Sequence, residues 1–519
     1  MEPITMVDDR IKHVVVLIME NRSFDHLLGY LDHPDPAYPN LDRIKPSCPV
    51  DPAHSDGRRV STVASASPVL GTDPDHSHQA AMLQMFGREG TPPVGAATMS
   101  GFIASYRRQI ASGTLRPLAW WEKLSNALLT AVKRLWNWLL RRRGPILAKP
   151  DEIMRCFPES EVPVLAFLAK QFAVLVNWHA SVPGETWPNR QFAHAATSHG
   201  TANIKIGFYD DDTVFQRLSE AGQSWGIYHD GVAHVWVYPK LWLAGVDQFH
   251  DMDRFFADVE NGTLPAYAFI EPNHGFGRGE GNSQHPGNNT VKGDSFEAGE
   301  ALIARIYNAL VANPALFAET LFLITYDEHG GFFDHVAPRR VENPDGINDP
   351  DTRFDFTLTG VRVPAVVVSP LVPAGTVDET FYDHASIAAT VRRRFASRTK
   401  PLSRREVAAA AVLDGRELLP SPRTDLPVYH RRDVLAATPE SATGRRLTDF
   451  QASLVELAGA VRVARDRTAA QRALRPEALR VPEFVPDPAC HAAAEAGVLP
   501  PGSEAERTVA GVVAEFTTG

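Results

Sequence analysis

Two adjacent pairs of oxygen-bearing side chains, Glu20-Asn21 and Asp327-Glu328, stand in distant parts of the chain. Carboxylates and a carboxamide suit a hard divalent cation, whereas the histidines that follow each pair (His26, then His329 and His335) suit a softer metal or proton transfer. Between the pairs lies Val182-Pro183-Gly184-Glu185-Thr186-Trp187-Pro188-Asn189-Arg190. Thr186 precedes a proline that could open a helix through Phe192 and His194, which would put its hydroxyl at the positive helix end where an anion binds. The same position also suits a plain helix cap. A hydroxyl nucleophile, a cation to absorb charge and a proton donor are together what cleavage of a phosphate ester requires. His76, His274, His285, His329, His335 and His384 lie in polar loops that could supply the proton, although most of the 19 histidines should be ordinary core or surface residues.

Each acidic pair needs an element to position it, and each follows an apolar run. Val14-Val15-Val16-Leu17-Ile18-Met19 precedes Glu20, and Leu321-Phe322-Leu323-Ile324-Thr325-Tyr326 precedes Asp327. Buried parallel strands ending in acids place ligands at the carboxyl edge of an α/β sheet. Residues 265–270 and 363–368 read as further apolar strands separated by helical stretches. The pattern predicts an α/β fold with a mainly parallel sheet covered by helices on both faces. Residues 33–75 and 271–294 are rich in Pro, Gly, Asp, Asn and His and read as loops over the sheet edge.

The 519 residues suggest one main domain with appendages. The 52 basic against 62 acidic side chains, net −10, argue against a general nucleic-acid binder. Cys48, Cys156 and Cys490 make neither a disulfide framework nor a metal motif. The N-terminus has no basic and apolar leader pattern, and no uninterrupted apolar stretch reaches about 18 residues, so a cytoplasmic or peripheral-membrane protein is expected, with secretion left open. Gly222-Gln223-Ser224-Trp225-Gly226 matches the acyl-hydrolase nucleophile elbow, but a helical segment precedes it and a strand follows, the reverse of what that motif needs. No cysteine has the C-x-P-x-R context that sulfatases use.

From Arg107 to Pro150 the texture changes. Leu124, Leu128, Val132, Leu135 and Leu139 recur at helical spacing with Trp120, Trp121, Trp136 and Trp138 and many basic residues. This amphipathic insertion suits either a membrane surface, through residues 118–144, or packing on the protein's own core. Leu447–Val463 reads as a C-terminal helix docked on the core, followed by a poorly determined tail.

The segments Glu20–His26, Asp73–His76, Glu185–Arg190 with Ala196-Thr197-Ser198-His199-Gly200, and Asp327–His335 resemble the phosphoesterase family that includes bacterial phospholipases C, plant non-specific phospholipases C and a bacterial acid phosphatase. The likeness spans about residues 10–400, and Phe450–Ala458 resembles the C-terminal helix of the plant enzymes. It implies an alkaline-phosphatase-like α/β sandwich, with a catalytic domain at 1–400 and a helical extension and tail at 401–519. It further implies that Glu20, Asn21, Asp327 and Glu328 hold a divalent metal of unknown identity with Thr186, the nucleophile. Asn189 would contact the phosphoryl group, with His76, His285 and His335 around it. Glu328 stands where many bacterial members have a second Asp. The implied substrate is a phospholipid cleaved to diacylglycerol and a phosphorylated head group. The alternatives are a phosphomonoester or, in a catalytically silent chain, membrane-surface binding alone. Oligomeric state is left open.

Overall fold

In the computed structural model the first apolar run is strand β1 (His13–Met19), buried at every residue but the first. A strand with no polar face has to be covered on both sides. The structure describes residues 7–517 except 55–56, 69, 71, 91–94, 113–147, 244, 277–280, 287–295, 431–444 and 473–480. The helix expected within 107–150 therefore lies largely outside the described residues. Among those described, no helix is long and apolar enough to cross a membrane.

The main sheet joins β1 to β2 (Ala173–Leu175), β3 (Trp225–His229), β4 (Phe249–His250), β5 (Tyr267–Glu271), β6 (Thr320–Tyr326), β7 (Ala365–Val368) and β8 (Thr376–Asp378). Their spatial order is β8-β2-β7-β6-β1-β5-β3-β4. From β6 to β4 every pairing is parallel. β7 runs against both of its neighbours, and β2 and β8 pair in parallel. Every residue of β5 and β6 is buried, so both faces of this mainly parallel sheet are covered, as expected. β5 and β7 start later than the apolar runs suggest because Pro265 and Pro364 lack the N–H that a ladder requires. Ser224 lies between the helix Val214–Glu220 and β3, so the elbow motif has the wrong context here too.

The helices used below are α1 (Phe24–Leu28), α2 (His78–Phe86), α3 (Thr186–Ala195), α4 (Phe296–Ala312), α5 (Ala385–Phe395), α6 (Asp449–Arg472), α7 (Pro488–Ala496) and α8 (Glu504–Thr517). The expected C-terminal helix is α6. The expected poorly determined tail is instead largely ordered: α7 packs so closely on α6 that a Cβ at Gly459 would come 2.8 Å from Cys490 Cβ. α8 brings Phe516 back to the core, with its ring centroid 4.4 Å from Trp236 and 5.1 Å from Phe249. Alanine-rich helices carry a weak apolar stripe, and a single aromatic anchor such as Phe516 is easily passed over in sequence.

Beside the sheet, His179 is fully buried with Nδ1 3.1 Å from Gly360 O. Burial drives its pKa down to about 3, outweighing the bond to that carbonyl. The unfolded chain titrates this side chain near 6.5, so below that pH it binds a proton that the folded chain refuses. The stabilisation is present above about pH 6.5 and is lost as pH falls toward about 3. His179→Asn, which keeps a donor for Gly360, is expected to flatten the decline of the thermal midpoint between about pH 7 and pH 5. A slope equal to the parent's would refute the assignment.

Candidate active site

Three neighbouring strands each end in a carboxylate. β6 leads into Asp327, β1 into Glu20, and β5 ends on Glu271. The register pairs Met19 with Tyr326 and Leu17 with Ile270, which sets Glu20 level with Asp327 and Glu271 two residues below them, level with Ile18. This is where open parallel sheets place their ligands.

Asn21 is the hub of the site. Its φ of 56° lies in the left-handed region, which asparagine tolerates better than most residues. Its N–H donates to Asp327 Oδ1 at 3.0 Å, and its Nδ2 lies 3.0 Å from His285 Nε2 and 3.5 Å from His76 Nε2. Thr186 Oγ1 donates to Asn21 Oδ1 at 3.4 Å. The opposing turn must be glycine: Gly330 has a φ of +62°, and a Cβ there would come 2.2 Å from Asn21 O. Of the residues named from sequence, Glu20, Asn21, His76, Thr186, His285, Asp327 and Glu328 thus come to one strand-end cluster.

Thr186 is fully buried and is the first residue of α3, with Glu185 rather than Thr186 at the cap. Pro188 falls inside the first turn, where its missing N–H has no intrahelical partner to lose. The preceding loop is drawn tight, since a Cβ at Gly184 would lie 1.9 Å from Ala202 O. Asn189 is what holds it. Its Oδ1 accepts from Val182 N at 3.1 Å, and its Nδ2 donates to Val182 O, Gly184 O and Glu185 O at 3.3, 3.1 and 3.1 Å. Against the expectation of a phosphoryl contact, the Asn189 carboxamide is spent on the backbone before Thr186.

Behind these groups lies a buried ionic layer. Arg190 donates Nε to Asp327 Oδ2 at 3.1 Å, Nη1 to Glu271 Oε1, and Nη2 to Ile18 O at 3.1 Å. His274 lies between two carboxylates, Nδ1 3.0 Å from Glu20 Oε2 and Nε2 2.8 Å from Glu271 Oε1. Burial would lower the His274 pKa, but Glu20 and Glu271 raise it to about 9. Burial would likewise raise Glu20, but His274 holds it near 2. Partly exposed His76 is raised to about 10, because Glu328, Asp73 and Glu185 outweigh its desolvation.

The donor set fits a divalent cation. Glu20 Oε1 and Glu328 Oε1 are buried without a hydrogen-bond partner among the described residues, a costly state for an anion unless a cation meets it. Four buried carboxylates, Glu20, Glu271, Asp327 and Glu328, crowd this edge, with Arg190 and His274 among the first three and His329 beside Glu328. Glu328 Oε2 is already engaged by Gly330 N at 2.7 Å and by His329 Nδ1 at 3.2 Å.

His335 belongs elsewhere. Its Nδ1 lies 2.7 Å from Asp25 Oδ2, and Asp25 and Asp334 are bound by Arg362 at 2.8 and 3.3 Å. Asp25, Asp334 and His335 are close enough for a metal, but the guanidinium already fills that role. Among the described residues the ion pair and hydrogen bonds of His335 go to Asp25, and none links it to Asn21 or Thr186. His384 is a neutral strut, pushed by burial to about 4, with Nε2 2.5 Å from Asp327 O.

The sequence reading assigned no role to three of the groups that build the site. Arg190 and Glu271 carry the ionic layer. Arg22 fixes the loop bearing His285 by donating to Gln284 O at 2.9 and 2.7 Å, its guanidinium 5.9, 5.3 and 5.2 Å from the rings of Phe157, Phe296 and Phe332. The available signals were Arg190 one helical turn after Thr186, and an apolar strand ending at Glu271.

The chain is 32% identical to the non-specific phospholipase C3 of Arabidopsis thaliana over 478 residues, covering 87% of this chain and 82% of that one. It is 25% identical to the hemolytic phospholipase C of Pseudomonas aeruginosa, covering 74% of this chain and 53% of that one. A solved alkaline phosphatase superfamily protein from Vibrio parahaemolyticus aligns loosely over 45% of this chain and 60% of its own, at 12% identity and a TM-score of 0.29. Residues 11–397 match the model of the phosphoesterase family, and with relatives this similar along most of its length the chain belongs to that family.

Proposed function

We propose that this phosphoesterase is a metal-dependent phospholipase C that cleaves glycerophospholipids through Thr186. The observation that carries the reading is the Thr186 hydroxyl, buried at the N-terminal turn of α3 and 3.4 Å from Asn21 Oδ1, beside carboxylate oxygens that lack partners. The names of the plant and bacterial relatives favour a phosphodiester of a lipid over a monoester.

Glu20, Asn21, Asp327, Glu328 and Thr186 would hold a divalent cation, which when bound supplies positive charge to the hydroxyl and the phosphoryl oxygens. Thr186 Oγ1 attacks phosphorus as the bond to the diacylglycerol oxygen breaks, giving phosphothreonine. His76, beside Asn21, supplies the proton to the leaving oxygen. Water then cleaves the phosphothreonine and releases the phosphorylated head group. Asn189 acts by fixing the loop that carries Thr186, and His285 orients the Asn21 amide. Membrane contact through residues 118–144 is part of the proposal on sequence grounds alone.

The test is side-by-side hydrolysis of nitrophenyl phosphorylcholine and nitrophenyl phosphate by metal-stripped protein resupplied with single divalent ions. Metal-restored diester cleavage is expected. Monoester cleavage alone would make the chain a phosphatase, and activity that survives complete stripping would refute the metal dependence.

A further inference from the structure

Glu271 is separated from the proposed metal ligands, yet it touches the partner of each of two of them. Its Oε1 receives both Arg190 Nη1 and His274 Nε2, the first bonded onward to Asp327 Oδ2 at 3.1 Å and the second 3.0 Å from Glu20 Oε2. The guanidinium and the imidazole stand between Glu271 and those carboxylates, so Glu271 would act on any cation that Glu20 and Asp327 hold only through Arg190 and His274. The Glu271 carboxylate is fully buried, and its Oε2 has no hydrogen-bond partner among the described residues.

The layer is roofed from one side. Phe450 of α6 meets the His274 ring edge-on at 4.9 Å and lies 5.9 Å from the Arg190 guanidinium. Gln451 Nε2 donates to His274 O at 2.7 Å. Water is thereby kept from the Arg190–Glu271–His274 bridge, and in a dry environment charged hydrogen bonds hold their geometry firmly.

Resting on the metal-centre reading above, we infer that Glu271 is a positioning residue that fixes Glu20 and Asp327 together, through His274 and Arg190, at the spacing a divalent ion requires. Outer carboxylates that orient ligands commonly set metal affinity by tenfold or more. The arrangement differs from an ordinary buried ion pair in joining two ligands from adjacent strands through one oxygen. Strand pairing alone leaves the side-chain rotamers of Glu20 and Asp327 free, and the bridge removes that freedom.

The experiment is Mn²⁺ titration of metal-stripped full-length protein followed by electron paramagnetic resonance, comparing parent with Glu271→Gln. The substitution keeps the shape and removes the charge. Mn²⁺ binding weakened by about tenfold or more, with unchanged near-ultraviolet circular dichroism and with kcat lowered while KM is kept, is the expected result. Binding within about twofold of the parent would overturn the inference and leave the phosphoesterase mechanism intact. A parent that binds no Mn²⁺ would overturn the metal reading, and the inference with it. Should Glu271→Gln not fold, His274→Gln, which cuts the Glu20 arm alone, is judged by the same criterion.

Discussion

Thr186→Ala is expected to lower diester turnover by roughly 10³-fold or more, the scale on which loss of a nucleophile is felt. The residue is fully buried, so a serine is the informative companion: Thr186→Ser keeps the hydroxyl at the first turn of α3 and should retain measurable turnover. Since Thr186 Oγ1 contacts Asn21 Oδ1, the alanine variant should also bind divalent metal more weakly, but Glu20, Asp327 and Glu328 remain to hold it. Steady-state rates on nitrophenyl phosphorylcholine at saturating metal separate the two effects. Full turnover by Thr186→Ala under those conditions would remove the nucleophile from the mechanism.

The second large effect concerns stability. Arg190→Ala takes the guanidinium from between Asp327 and Glu271 and leaves two buried carboxylates short of a partner. Breaking one side of a buried pair typically costs about 3–5 kcal/mol, because the remaining charge cannot reach water. Urea denaturation of metal-free protein is expected to register a loss of that order. Arg190→Lys should fall between, since one ammonium cannot reproduce the fork that reaches Asp327, Glu271 and the Ile18 carbonyl together. An Arg190→Ala chain as stable as the parent would mean that the carboxylates shed their charge without penalty.

These two residues also mark the limits of what the sequence disclosed. Thr186 was legible only in company, since a hydroxyl close before a proline is otherwise a plain helix cap, and Glu20-Asn21 and Asp327-Glu328 because each follows an unbroken apolar strand. Arg190 and Glu271 were in plain view but carried no assigned role, since a charged residue does not declare whether it faces water or a buried partner. His335 shows the converse: it follows Asp334 in a polar loop like the other candidate histidines, and only the fold reveals that its Nδ1 pairs with Asp25, which Arg362 binds in turn. Asn189 had the right neighbours and a different task, because its carboxamide reaches back over a turn whose tightness Gly184 alone hints at. The parallel sheet was read correctly in outline, and its proline-delayed strand starts and ordered C-terminal helices were not.

The central position of β1 has a consequence for how the protein is made. β1 leaves the ribosome long before its pairing partners β5 and β6, which lie far downstream in the chain. Throughout that interval the nascent protein exposes an apolar segment with both edges unpaired, the kind of strand that recruits other chains. Prematurely terminated products ending before Tyr267 would keep both edges exposed permanently, and would be drawn to chaperones and into inclusion bodies.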